Sequence, residues 1–192
     1  MSTPSSDAPW PVREITDPRE LRAPAHPLRW ELLDLLAEGP LTASQCAARL
    51  GVTPANCSYH LRQLAKYGHV REAEGGRGRE RPWRSRDEGI TWDRDAPGAS
   101  AAADALGETL DEHRFSTWRR YRAAMPGDDA DWRAAAISTD VVAWMTPDEL
   151  RELDRRLLAL FSDYVDRDAN PTARPDGARA VRFFAYGWGN PA

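Results

Sequence analysis

The stretch from Leu41 to Val70 reads LTASQCAARLGVTPANCSYHLRQLAKYGHV and holds two helix starts eleven residues apart. Thr42 and Gln45 have capping-box spacing: the threonine oxygen takes an orphan backbone N–H, and the glutamine returns to the cap's own N–H. Cys46, Ala47 and Leu50 recur at helical spacing, and Gly51 follows. Glycine tolerates the left-handed backbone common at a helix end. Thr53 reads as a second cap with Pro54 in the first helical position, where its missing N–H costs nothing. A helix is expected from Pro54 to about Tyr67. Two helices joined through a turn at Gly51 make a helix-turn-helix.

The second helix divides into two faces. Cys57, Leu61 and Leu64 stand at i, i+4 and i+7 and are expected to face the first helix. Ala55, Asn56, Ser58, Tyr59, Arg62 and Gln63 are left outward. Small and hydrogen-bonding groups of this kind suit base edges and phosphates in a major groove, whereas a helix meant only for solvation carries Glu and Lys. The alternative is a helix-turn-helix used for protein contact.

Outward from this stretch, LRWELLDLLAEG places Leu28, Leu32, Leu35 and Leu36 on one face of a supporting helix that ends at Gly39, with Pro40 beyond. Asp17, Pro18 and Glu20 open a shorter helix upstream. Residues 1–16, rich in Pro and Ser, are expected to form a flexible arm. Downstream, HVREAEGGRGRERPWRSR reads as two short strands around a glycine-arginine turn, a wing. Arg77, Arg79 and Arg81 at its tip could follow a phosphate backbone or enter a narrow minor groove. Trp83 is expected to pack on the helices.

The chain has 192 residues, a net charge of −4 and a pI near 5.6. At this length about 70% of the unfolded surface can be buried, enough for a true core. The acidic sum conceals an asymmetry. Arg49 to Arg86 holds nine Lys/Arg against three Asp/Glu, while Asp104 to Asp168 holds nine Arg against fifteen Asp/Glu. Only the local field matters for docking on phosphates, so the acidic half should face away from DNA. Cys46 and Cys57 fall on inner helix faces and read as small hydrophobes in a reducing compartment. With no apolar leader and no run of about 18 apolar residues, a cytoplasmic chain without a membrane partner is expected.

The run AHPLRWELLDLL, the helix-turn-helix and the glycine-arginine wing together resemble ArsR-type bacterial transcriptional regulators, over roughly Ile15 to Trp92. Ser58, His60 and Leu61 form the most telling short element. The resemblance implies a dimeric DNA-binding repressor read out through Pro54, Ala55, Asn56, Ser58 and Tyr59 of the second helix and Arg77 and Arg79 of the wing. Metal-sensing members place Cys-x-Cys where this chain has Thr42 and Ser44, which supply no thiolate. Asp104, Glu108, Asp111, Glu112 and His113 offer one histidine among carboxylates. No metal site and no cofactor are therefore assigned.

The second half begins after a linker at Asp93 to Ser100. Leu106, Leu110, Trp118, Tyr121 and Met125 follow helical spacing over Ala101 to Met125, a shorter helix is expected around Trp132, and Thr146, Pro147 and Glu149 open another that runs to about Asp166. In it Leu150, Leu153, Leu157, Leu160 and Tyr164 form a heptad-like seam and Leu158, Phe161 and Val165 a second stripe, so one face is free for a partner subunit. AVRFFAYGW, with Phe184, Tyr186 and Trp188 alternating, reads as a terminal strand. Trp118, Tyr121, Trp132, Trp144, Phe161 and Trp188 are candidates either for a small-molecule effector pocket or for plain core.

The architecture expected is mainly α with a small β wing: residues 17–92 a winged helix-turn-helix, 99–192 a helical dimerisation and candidate ligand-binding region with a terminal strand. The function expected is a dimeric, sequence-specific regulator of transcription on a pseudo-palindromic operator, a repressor released by a small organic effector rather than a metal. A protein-interaction adaptor is the alternative. No catalytic residues are assigned. An enzyme built on a winged-helix dimerisation domain would need a Gly-rich turn after a strand, which Asp93 to Ala192 lacks, and His69, His113 and Ser116 have no matched partners in sequence.

Overall fold

A computed structural model describes residues 10–75, 81–86, 88–93 and 99–189. The helices of the opening stretch form where their caps place them. In chain order the first elements are β1 (Val12–Ile15), α1 (Pro18–Arg22), α2 (Pro27–Glu38), α3 (Ala43–Leu50) and α4 (Pro54–Lys66). Thr42 caps α3 in a reciprocal box, its Oγ1 accepting from Gln45 N–H at 3.2 Å while its own N–H donates to Gln45 Oε1 at 2.8 Å. Gly51 then takes the left-handed conformation, φ 67°, that ends α3. Thr53 Oγ1 accepts from Asn56 N–H at 3.3 Å to start α4.

Burial follows the two-faced pattern. Cys57, Leu61 and Leu64 of α4 are fully buried in one cluster with Leu28, Leu32 and Leu36 of α2, Cys46 and Ala47 of α3, Leu41 and Val70. Burial pushes the Cys46 thiol up to about 11, with Cys57 beside it adding to the effect, so both cysteines stay protonated core groups. β2 (Val70–Glu72) pairs antiparallel with β3 (Trp83–Ser85), and Leu41 exchanges backbone hydrogen bonds of 2.8 and 3.0 Å with Trp83. The hairpin is thus stitched to the entrance of α3. Trp83 packs against the core, as expected.

Two expectations give way here. Residues 12–15 are not part of a flexible arm: β1 pairs in parallel with β4 (Gly89–Trp92), Val12 opposite Gly89 and Ile15 opposite Trp92. Gly89 permits this pairing, because a Cβ there would lie 2.8 Å from Trp10 Nε1. Glu20 does not return to its helix cap but binds Arg13 of β1 at 2.6 Å, tying α1 to the strand. A second core forms under this pair from Ile15, Leu21, Ala102, Ala103 and Leu106, with Trp30, Ile90 and Trp92 packed against it.

The alanine-rich start of α5 (Ala99–Ala124) supplies that second core, and its small side chains let α1 approach closely. His113 is the last buried residue of α5 and of the described chain. Beyond it come α6 (Ala130–Ala135), α7 (Pro147–Leu160) and α8 (Ser162–Ala169). The single helix expected from Thr146 breaks at Phe161 into α7 and α8. Thr146 and Glu149 do form the expected capping box. The terminal strand is a further correction: Ala180–Trp188 has no strand partner among the described residues. Its rings instead pack on helices, Phe184 and Tyr186 against Phe115 and Phe183 against Phe161.

Candidate nucleic-acid interface

The outward face of α4 is built by the burial of its inward one. With Cys57, Leu61 and Leu64 sunk in the core, Pro54, Ala55, Asn56 and Arg62 are exposed, Tyr59 is 52% exposed, and Ser58 and Gln63 are half-buried at the edges. No Asp or Glu occurs in α4. Arg62 folds back along the helix, its Nε donating to the Ser58 carbonyl at 3.1 Å. That contact leaves the rest of the guanidinium to reach a phosphate or a base edge.

The wing adds charge beside this face. Arg81 is exposed, with Nε 3.9 Å from Glu72 across the hairpin. Arg77 and Arg79 lie outside the described residues. Arg71 of β2 and Arg84 of β3, which the sequence reading left out, stand directly opposite each other in the ladder. Both add positive charge to the hairpin beside α4. Their signal was available: counting two residues at a time from Trp83 and Val70 sets the register of both strands.

His60 was missed for a clearer reason. Its spacing of three from Cys57 places it on the inner edge, and it is 7% exposed. Its Nδ1 accepts from Arg29 Nε at 3.2 Å, its ring lies 4.5 Å from that of His26, and Tyr59 meets it edge-on at 5.1 Å. Burial, then the charges of His26 and Arg29, hold the His60 imidazole below its ordinary value. His26 is lowered too, by burial first and Arg29 second.

The histidine expected on an acidic face turns inward instead. His113 Nε2 bonds Asp34 Oδ2 at 2.8 Å and stacks on Trp30, away from Asp104, Glu108 and Glu112. Thr42, at one of the positions where thiolates would bind metal, is spent as a helix cap. His69 is likewise structural: Nε2 bonds the Glu20 carbonyl at 2.9 Å, joining the end of α4 to α1.

These features place a two-helix reader, its support and its wing within one short span. Residues 25–72 match the helix-turn-helix domain family. This segment is a helix-turn-helix domain. The matched span holds α2, α3, α4 and β2. One similar solved structure, a possible transcriptional regulator for arsenical resistance, is 27% identical, with 55% of this chain and 97% of that chain covered and a TM-score of 0.33. Another, Lactococcus lactis ZitR in complex with DNA, is 16% identical, with 76% of this chain and 74% of that chain covered and a TM-score of 0.30. At such TM-scores the assignment rests on residues 25–72 and on the packing of the helix-turn-helix domain itself. A comparison with curated proteins found no match.

The six aromatic residues named for an effector pocket are not gathered by this chain. Trp118 lies under Arg122, Trp132 under Arg179 and Phe161 against Phe183. Tyr121 is exposed, as are Trp144 at 101% and Trp188 at 74%. Within the single chain each ring has its own neighbour or solvent.

Proposed function

We propose that the chain is a sequence-specific DNA-binding regulator of transcription that reads DNA through the exposed face of α4. The observation carrying this reading is the acid-free outer surface of Ala55, Asn56, Ser58, Tyr59 and Arg62 on a helix anchored by fully buried Cys57, Leu61 and Leu64. Helices of this build lie in the major groove, with N-terminal residues on base edges. The wing arginines, Arg77 and Arg79 included, supply backbone contacts. The finer reading is a homodimer acting as a repressor, as the ArsR-type resemblance implies. Two copies of α4 would enter successive grooves about 34 Å apart on a pseudo-palindromic operator. The reading is of a regulator rather than an enzyme.

Fragments enriched from genomic DNA by the purified chain, then titrated in gel shifts at two salt concentrations, test it. Tyr59→Ala should cost roughly 1–3 kcal/mol and relax specificity at the base it contacts. An Arg77→Ala/Arg79→Ala double variant should weaken binding across sequences and flatten its salt slope. Undiminished binding by both variants, or no enrichment of any fragment, overturns the reading; the latter favours a protein-contact role.

A further inference from the structure

We propose that His60, His26 and Arg29 form a positioning bridge that holds the DNA-reading helix α4 on α2 only while both imidazoles are neutral, so that specific DNA binding is lost in mild acid. The inference rests on the DNA-binding reading of α4 and adds a regulation to it. Arg29 Nε donates to His60 Nδ1 at 3.2 Å, and Arg29 Nη1 donates to the Ala23 carbonyl in the turn before α2. His26 Nδ1 accepts from Leu28 N–H at 3.1 Å, which makes this histidine the N-cap of α2. Both rings therefore spend the Nδ1 lone pair as an acceptor. A neutral imidazole with Nδ1 accepting carries its proton on Nε2.

The next proton can enter only at Nδ1, where both acceptors are in use. On His60 it sets an N–H against the Arg29 N–H and a positive charge beside the guanidinium; on His26 it removes the cap of α2. With the rings 4.5 Å apart, one charge also opposes the other. The titratable and charged groups facing His60 are His26 and Arg29 from α2 and Tyr59 on α4 itself. Among the described residues no carboxylate is among the groups that shift its titration. Tyr59, the largest side chain of the reading face, rests edge-on against His60.

Both imidazoles lie below the ordinary value of 6.5, burial being the first cause for each. A base whose folded value is depressed contributes its stability above the unfolded value and loses it as pH falls through the folded one. The loss thus falls on the acid side of 6.5. Phosphates attract protonated histidine, which strengthens non-specific binding in acid, so the discriminating quantity is the ratio of affinities for an enriched fragment and a scrambled duplex.

The test uses the full chain at constant salt, with fluorescence anisotropy on both duplexes at about pH 8 and about pH 5.5, spanning the histidine range. The expected result is that the preference for the enriched fragment over the scrambled duplex, present at about pH 8, is lost at about pH 5.5. In a His26→Asn/His60→Asn double variant the amide oxygens accept the same bonds without titrating, and the ratio should stay flat. An unchanged ratio in the native chain, or an equal fall in the double variant, overturns the proposal. Side-chain 15N shifts of the free chain give a readout that needs no DNA: protonated Nδ1 on either histidine at pH 8 also overturns it. Absence of any specific binding at pH 8 refutes the DNA-binding reading itself, whatever the histidine shifts show.

Discussion

The chain up to His113 and the chain after it obey different accounts. The first part has two packed clusters in which Leu21, Leu32, Leu61, Leu64 and Leu106 are sealed from water. After His113 no described side chain is buried, although Val142, Trp144, Leu160 and Trp188 are all apolar and open to solvent. What holds that second part in a single chain is the Thr146 box, ion pairs of Glu152 with Arg155 and Arg156 along α7, and polar contacts to the first part, Arg182 and Tyr186 of an extended aromatic strap with Asp34 and Asp111, and Arg120 with Glu31. Exposed ion pairs of this kind add little, and helices of eight to fourteen residues are marginal without tertiary packing. The contrast teaches that the two-sided apolar pattern of α7 anticipates a cover the single chain does not provide.

The largest expected effect tests the first half of that contrast. Leu61→Ala should lower the free energy of unfolding by about 2–5 kcal/mol, read from urea unfolding, because it leaves a cavity between α2, α3 and α4. Leu160→Ala, on α7, should leave that transition within about 0.5 kcal/mol and, if the proposed homodimer is covered by α7, shift sedimentation towards monomer. A comparable loss of stability from Leu160→Ala at every protein concentration would mean that α7 already belongs to the core of the single chain.

Caps give a finer version of the same comparison. Thr53 and Thr146 start helices with the same chemistry, an Oγ1 accepting from the residue three positions on. Thr53→Ala should shift the cooperative unfolding of the helix-turn-helix by about 1 kcal/mol, since α4 is locked into it. Thr146→Ala should reduce far-ultraviolet helical signal with no change in the main midpoint. Equal shifts from the two variants would show that α4 and α7 unfold as one unit.

The same division explains what could be read from the sequence. The caps at Thr42, Thr53 and Thr146 and the inward triplet Cys57, Leu61 and Leu64 depend on contacts three or four residues apart, which spacing records. The pairing of β1 with β4 depends on Gly89 making room for Trp10, nearly eighty residues away, and neither residue signals the other. His60 was placed on neither face because imidazole suits core and surface alike, and only Arg29 and His26, brought by the fold, decide its role. The aromatic residues of the second half were read as pocket or core, yet Trp144 and Trp188 serve neither purpose in this chain. Their composition tells how much apolar surface exists and is silent about which molecule covers it.

The smallest expected effect concerns one of the places where the two parts are joined by charge, Arg120 with Glu31 at 3.6 Å being another. Asp34 of α2 binds His113 Nε2 at 2.8 Å with one oxygen and Arg182 Nη2 at 2.5 Å with the other, so the strap is fastened to the helix that supports α4. Burial pushes the Asp34 carboxyl up, but its bonds to His113 and Arg182 outweigh that and hold it below the ordinary carboxylate value. A lowered carboxylate contributes its stability above the unfolded value and loses it as pH falls through the folded one. Asp34→Asn should therefore cost about 1 kcal/mol at pH 7 in urea unfolding and remove part of the decline below about pH 4. Arg182→Gln separates the two partners: it should release the strap, raising the mobility of Tyr186 in 19F spectra of a fluorotyrosine-labelled chain, while the His113 contact keeps α5 in place. An unaltered Tyr186 signal would show that its bonds to Asp111 and Arg114 secure the strap without Asp34.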